Sequence, residues 1–471
     1  MIAGAAMRTL LHPLGLCAAW LAAGVLSAGT ATAADAATEL VQRGEYLATA
    51  GDCIACHTAP GGKPMAGGLS LATPIGALVS TNITPSKTHG IGNYTLAEFS
   101  DALRKGVRAD GRHLYPVMPY TAYAKVNDED MQALYAYFMQ AVAPVDSAPP
   151  ATPLPFPFNL RGAMAVWNRL FLDRAVFVPD PRQSPQWNRG AYLAQGLAHC
   201  GTCHTPRNLL MAEKPTLLLG GGVVGAWQAP NITSDVNSGV GGWSEAELLA
   251  YLRNGQASGK AQAGGPMAEV IDNSLRHLSE ADVRAIAVYL KSVPAQHDPA
   301  DTQPAYAWGA AGNDLGAIRG TAWPARRDEL TGAQLYDAHC ATCHQASGQG
   351  SFDGGLPPLF HNVALGRANT DNLVLVMLEG LRRHSQGEEV RMPGFAAELT
   401  DVQMATLGNY LLQRYGNPKA RISAAQVQAL RGSAGVSTWL VWAARVGVGL
   451  AVLLLVWVAT ALLRLGRRRT P

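Results

Sequence analysis

Charge is scarce in this sequence: acidic and basic residues together make up 15% of its 471 positions, and the net charge at neutral pH is only +3. That excludes a charged disordered tail, and basic residues this few and scattered leave no electrostatic footprint for nucleic acid. No G-x-G-x-x-G follows a strand, so a flavin or nicotinamide fold is not expected. Cysteine is sparse as well, with seven in all, and no thiol stands apart to hold an iron–sulfur cluster. What is abundant is apolar residue (48%), glycine (50) and proline (29), the composition of a loop-rich globular chain. At roughly 150 residues per domain the length suits about three cores.

The first residues carry one charge, Arg8, then an apolar run from Leu14 to Leu26, then small residues ending Ala31-Thr32-Ala33. This is the pattern of a secretory signal, assigned to 1–33, and Cys17 leaves with it. Near the other end, Val446 to Leu463 runs without a charge, which as a helix is roughly 27 Å long. Trp439 and Trp442 stand on one side of it, and Arg464, Arg467, Arg468 and Arg469 on the other. The expectation is one membrane span over 438–464, a cytoplasmic tail over 465–471, and everything between leader and span outside the inner membrane. Arg8 and the four tail arginines carry more positive charge than the whole net excess, so the exported body is slightly acidic.

The six remaining cysteines all lie in C-x-x-C-H: Cys53, Cys56, His57; Cys200, Cys203, His204; Cys340, Cys343, His344. A C-x-x-C alone fits a redox pair, a disulfide or half of a zinc site. The histidine decides: in c-type haem attachment the two thiols form thioethers and the adjacent imidazole ligates the iron. Zinc would need further ligands at each site, and a disulfide needs no histidine at a fixed place. Three covalent haem c groups are expected.

A sixth ligand for each iron is expected later in the same unit. Met118, Met267 and Met392 follow His57, His204 and His344 by 61, 63 and 48 residues, each beside a proline. Adjacent proline favours a loop over a helix, and thioether opposite imidazole raises the potential, which suits one-electron relay. Met65, Met211 and Met377 are rivals, and His113, His277 and His384 are alternatives that suit a surface or propionate-side place better.

Two units are internally duplicated. Arg43-Gly44-Glu45-Tyr46-Leu47-Ala48 matches Arg189-Gly190-Ala191-Tyr192-Leu193-Ala194, Asn82-Ile83-Thr84 matches Asn231-Ile232-Thr233, and Gly90–Gly106 aligns without a gap on Gly239–Gly255. Thr95 and Ser244, each with Glu three residues later, are capping boxes. A last helix follows each methionine: Val126-Asn127 to Ala141, Leu278-Ser279 to Val293, and Leu399-Thr400 to Tyr415. The expected order is haem units at 34–145, 186–297 and 326–420, a proline-rich linker at 146–185, a second linker at 298–325 and a tether at 421–437. Met164 to Phe177 in the first linker is apolar with interspersed arginines, fitting a docking surface, the bilayer interface, or a helix strapped across its own domains.

The motifs Gly51-Asp52-Cys53-Ile54-Ala55-Cys56-His57-Thr58, Ser80-Thr81-Asn82-Ile83-Thr84-Pro85, Leu114-Tyr115-Pro116-Val117-Met118-Pro119-Tyr120 and His199-Cys200-Gly201-Thr202-Cys203-His204-Thr205-Pro206-Arg207-Asn208 carry a resemblance. The chain resembles the membrane-bound tri-haem cytochrome c subunits of bacterial periplasmic dehydrogenases for alcohols, gluconate, sorbitol, fructose or aldehydes. The resemblance implies an all-α fold of three tandem cytochrome c-type domains plus one C-terminal transmembrane helix. It also implies a catalytic partner subunit of flavin, PQQ or molybdenum type, and electrons passed to ubiquinone. The sequence departs from the family around Met267, in Gly264-Gly265-Pro266-Met267-Ala268, which lacks the following proline. Two other functions compete with this reading: a free-standing membrane-tethered carrier feeding a terminal oxidase, and a haem peroxidase, which needs an open iron position that three methionines would deny.

Overall fold

In a computed structural model of the chain, residues 33–352, 355–385, 388–432 and 438–467 are described. The expected leader with Cys17, apart from Ala33, lies outside these residues, as do Arg468 and Arg469. The fold is mostly helical, and each of the three units repeats one plan. A first helix leads to the C-x-x-C-H turn, and a last helix returns to cross the first.

In the first unit Ala33–Ala50 packs on Asp128–Gln140, in the second Pro185–Gln195 packs on Glu280–Leu290, and in the third Gly332–His339 packs on Asp401–Tyr415. Glycine makes the closest approach in each crossing. A Cβ on Gly44 would fall on the Ala133 carbonyl, one on Gly190 on the Ala285 carbonyl, and one on Gly332 against the Tyr410 side chain. The expected caps are present. Thr95, Ser244 and Thr400 close capping boxes on Leu96–Lys105, Glu245–Asn254 and Asp401–Tyr415, while Asn127 and Ser279 accept from the third residue of their helices.

The first two units share one buried core, with Leu47, Met131, Leu193 and Ile286 among its least exposed side chains, whereas the third builds its own around Leu335, Tyr336, Met404 and Leu412. Polar contacts seal the shared core. Tyr46 donates to Asp282 and Tyr192 to Asp130, each at 2.6 Å, so each unit's first helix reaches the other's last helix. The third unit docks on the second through the Asn372 side chain, which accepts from the Gln228 amide and donates to the Gln228 carbonyl, each at 2.8 Å, and through Val363, whose amide donates to the Lys260 carbonyl at 2.8 Å.

Four antiparallel hairpins among the described residues were not anticipated from the helical periodicity: Ser70–Thr73 with Gly76–Val79, Gly222–Val224 with Trp227–Ala229, Gln256–Ala257 with Ala261–Gln262, and Leu381–Ser385 with Glu388–Met392. Their strands run from two to five residues, at or below the short end of the range over which alternation is read. A G-x-G-x-x-G spacing from Gly220 to Gly225 falls in the second hairpin and opens no helix.

The proline-rich segment is held down along its length. Asn82 donates to the Val145 and Ser147 carbonyls, the Val79 amide donates to Thr152, and helix Ala163–Phe171 buries Asn168 between Tyr120 and the Lys105 carbonyl. Trp167 packs edge-on to Tyr120 and donates to the Leu210 carbonyl in the second unit. This is the strapped helix among the three readings of that segment, although Val166 and Leu170 remain exposed. At the C-terminus, Thr438–Arg467 is one helix, and Thr438–Leu462 within it is long and apolar enough to cross a membrane, with only 6% of its most apolar stretch buried against the protein.

Candidate haem sites

Each C-x-x-C-H sequence forms one short helical turn, Cys53–His57, Cys200–His204 or Ala341–His344, placed at the end of its unit's first helix. Asp52 and His199 stand at the junctions with left-handed backbone, φ 50° and 35°, which turns the chain sharply before the motif. Five of the six thiols are pushed up by burial, Cys53, Cys200 and Cys340 to about 12 and Cys56 to about 11, with Cys203 raised as well. A reactive dithiol centre lowers a thiol pKa, the opposite of what burial does to these five.

The histidines are oriented alike. His57 Nδ1 lies 2.6 Å from the Thr81 carbonyl oxygen, His204 Nδ1 2.6 Å from that of Pro230, and His344 Nδ1 3.1 Å from that of Pro357. A backbone carbonyl accepts only from a protonated nitrogen, so Nδ1 carries the hydrogen and Nε2 is left with a lone pair for a metal. Burial lowers the pKa of all three rings and favours that neutral form.

The repeated Asn-Ile-Thr explains how the carbonyl is placed. Asn82 Oδ1 accepts from the Thr84 amide and hydroxyl, and its amide group ties the loop to Val145 and Ser147; Asn231 does the same with Thr233 and the Gln296 carbonyl. Thr81 and Pro230 immediately precede these asparagines, so the clamp fixes the acceptor that aims each imidazole. The repeat was visible in the sequence, but its role was not.

The methionines fall in three settings. Met118 lies in a loop just before a helical turn at Tyr120–Tyr123 and packs on the core that also contacts Cys53 and Ile54. Met267 is the second residue of helix Pro266–Asn273, not part of a loop, because Pro266 occupies the first helical position, where a proline is accommodated. Met392 ends the strand Glu388–Met392. One continuous cavity is lined by Cys200, Cys203, His204 and Met267 and also by Cys340, Cys343, His344 and Met392. Of the rivals, Met211 is exposed, Met65 is buried in the shared core, and Met377 is packed in the third core while also reaching the cavity. His277 Nε2 lies 2.9 Å from the Asp272 carbonyl oxygen, and His384 Nδ1 lies 3.0 Å from the Asp272 carboxylate. The His113 Nδ1 atom is buried with no hydrogen-bond partner among the described residues.

Sites one and two are close neighbours. Helix Pro266–Asn273, which carries Met267, packs against the turn Cys53–His57, and Ser274 donates to the Ala50 carbonyl. Burial, helped by the Glu269 carboxylate of the second unit, pushes Asp52 up to about 8, and Cys203 contributes to the raised pKa of Cys56. The donor set therefore fits a covalently held haem in each unit: paired thiols and an imidazole with Nε2 free, with an apolar cavity around the second and third.

Comparison with known proteins agrees with this chemistry. The cytochrome c family model matches residues 41–141 and 330–414. The chain is 45% identical to the fructose dehydrogenase cytochrome subunit of Gluconobacter japonicus, over 85% of this chain and 84% of that one. It is 41% identical to the gluconate 2-dehydrogenase cytochrome c subunit of Pantoea cypripedii, over 87% and 94%. With the cytochrome c subunit of alcohol dehydrogenase (quinone) from Gluconobacter oxydans it shares 38% identity, over 86% and 85%.

Proposed function

The chain belongs to the cytochrome c subunits of membrane-bound dehydrogenases, and from that premise we propose that it carries electrons from a separate catalytic subunit to ubiquinone. It carries three C-x-x-C haem-binding motifs, at Cys53 and Cys56, Cys200 and Cys203, and Cys340 and Cys343. Haem c supplies a one-electron Fe(III)/Fe(II) couple. The protein's part is to hold the three groups, fix their ligands and keep them close. In this reading His57, His204 and His344 would hold the three irons, with Met118, Met267 and Met392 as the second ligand of each.

One observation carries the reading: the three attachment turns are contiguous, the first against the helix of Met267 and the second and third in a single cavity. A chain of adjacent sites is what relay requires. The catalytic partner oxidises an alcohol, a sugar or sugar acid, or an aldehyde, and is of flavin, PQQ or molybdenum type. Thr438–Leu462 spans the inner membrane, with Arg464 and Arg467 on the cytoplasmic side and the haem units in the periplasm.

The test is purification of the tagged chain from its own membranes in mild detergent, with mass spectrometry of what accompanies it and a haem count from the pyridine haemochrome spectrum. Three haems, a large dehydrogenase subunit and substrate-dependent reduction of a ubiquinone analogue are expected. Three haems with no partner, in a preparation that still reduces a terminal oxidase, would overturn the reading in favour of a free carrier.

A further inference from the structure

Three arginines line the cavity shared by the second and third sites, and the relay reading leaves them without a task. All come from the third unit; Arg391 is exposed, and the other two are held against the second unit or inside the cavity. Arg383, on strand Leu381–Ser385, is only 1% exposed and reaches into the second unit, where it donates to the Asn254 carbonyl at 2.9 Å, to Gln262 Oε1 at 2.5 Å and to Gln256 Oε1 at 3.3 Å, while its Nε is buried with no partner among the described residues. Gly255 leaves the room for it: a Cβ there would stand 3.2 Å from Arg383 Cδ. Arg367 lines the same cavity and, among the described residues, makes no hydrogen bond and no ion pair; Asp301 acts on it only through space.

Tyr251 of the second unit completes the group. It sits in helix Glu245–Asn254, edge-on to Trp243, and lines the cavity, and the charges of Arg367 and Arg383 both act on its hydroxyl. Two guanidinium groups with unused donors and a phenol, converging in an apolar cavity, are a costly arrangement unless an anion meets them. The first unit has no such group: in the ungapped alignment of Gly90–Gly106 on Gly239–Gly255, Ala102 stands where Tyr251 does.

We infer that Arg367 and Arg383 of the third unit, with Tyr251 of the second, hold the propionate carboxylates of the haem attached at Cys200 and Cys203. The third unit then sets the potential of its neighbour's haem as well as its own. This rests on the haem reading above and adds which residues tune one centre. A fixed cation favours the less positive ferrous state, so these arginines raise the potential of that haem.

The experiment is a spectroelectrochemical titration of the full-length protein in detergent, resolved into three midpoints, with a haem count on every sample. In Arg367→Gln one midpoint falls and two stay, with three haems retained, and Arg367→Lys recovers most of the shift because the charge remains. The component that falls is the one moved by Met267→His and not by Met392→His. Arg382→Gln, on the same strand but exposed and paired with Glu389, leaves all three in place. Unchanged midpoints in Arg367→Gln with three haems present, a uniform fall of all three, or a shift that follows Met392 would overturn the inference. If Arg367→Gln does not accumulate with haem, Tyr251→Phe decides: the same single midpoint falls, and no shift in it defeats the inference. A wild-type haem count below three would defeat the haem reading itself and the inference with it.

Discussion

The Tyr46 hydroxyl donates to the Asp282 carboxylate at 2.6 Å across the boundary between the first two units. Asp282 already accepts two hydrogen bonds from Arg189 of its own unit, at 2.8 and 2.6 Å. The mirror image is built from the other halves: Asp130 accepts from Arg43 at 2.9 Å within its unit and from Tyr192 at 2.6 Å across the boundary. The duplication visible in the sequence thus folds into an intramolecular pair with twofold character, in which the same residue types make the same contact twice. Such a pair keeps the first two attachment turns at a fixed distance, as relay requires.

Tyr46→Phe and Tyr192→Phe are each expected to lower stability by about 1.5–3 kcal/mol, the net worth of a hydrogen bond to a charged group. The two costs should match, because the contacts are equivalent. Thermal unfolding of the haem-loaded protein measures both, and a large inequality between them would show that the two halves are not equivalent in energy.

Asp282 links this contact to pH. Burial pushes its carboxyl up, but the hydrogen bonds from Arg189 and Tyr46 more than offset that, so its pKa lies below the ordinary value of about 3.9. A depressed carboxylate contributes stability that is present above that ordinary value and is lost as pH falls through the folded one. The stability gap between wild type and Asp282→Asn is therefore expected to be full near neutrality and to close below about pH 4. A gap that widened on acidification would contradict this assignment.

Gly44 and Gly190 are expected to tolerate no side chain. An added Cβ at either position meets a backbone carbonyl of the crossing helix, which cannot swing away as a side chain can. Gly44→Ala and Gly190→Ala should each cost about 1–3 kcal/mol by overpacking, more if the helices must separate, and should lower the yield of protein with three haems. Alanine at Gly111, where a Cβ would meet nothing within 4 Å though φ is +76°, serves as the milder comparison.

These residues also mark what the sequence could and could not disclose. The Arg-Gly repeat at 43 and 189 was readable as a duplication, and the capping residues Thr95, Ser244, Asn127, Ser279 and Thr400 located five helix starts, because both signals are local. The reason for the glycine was not readable, since it lies in a carbonyl 89 positions away for Gly44 and 95 for Gly190. Likewise the three C-x-x-C-H motifs announced the cofactor chemistry, and Asn-Ile-Thr was noticed as a repeat. Its function depends on which carbonyl the clamp presents to His57 or His204, which only the folded loop determines. Arg367 and Arg383 were invisible as a pair, because neither stands in a motif and the tyrosine they approach belongs to another unit.

Deleting 438–471 is expected to move the protein from the membrane to the soluble fraction while leaving three haems bound, because the helix Thr438–Leu462 buries so little against the body. Fractionation and a haem count on the same sample check it. If the truncated chain stayed membrane-bound, the exposed Val166 and Leu170 of the strapped helix would be the next surface to alter.

At the third site two methionines reach the cavity, and their surroundings separate them. Met377 lies in helix Asp371–Glu379, is 3% exposed and is packed among the residues of the third core, so its sulfur serves as a filler. Met392 ends a strand opposite Leu381, immediately before Pro393, where the hairpin returns the chain to the cavity. A thioether ligand raises the potential relative to a second imidazole. Met392→His should therefore lower one midpoint and abolish one third of the methionine–iron charge-transfer absorbance, with three haems retained. Met377→Leu should change neither, and should cost no more than about 1.5 kcal/mol because it nearly conserves volume. If the two variants exchanged behaviour, the sixth ligand of the third iron would be Met377, and the hairpin Leu381–Met392 would serve only to carry Arg383 to the second unit.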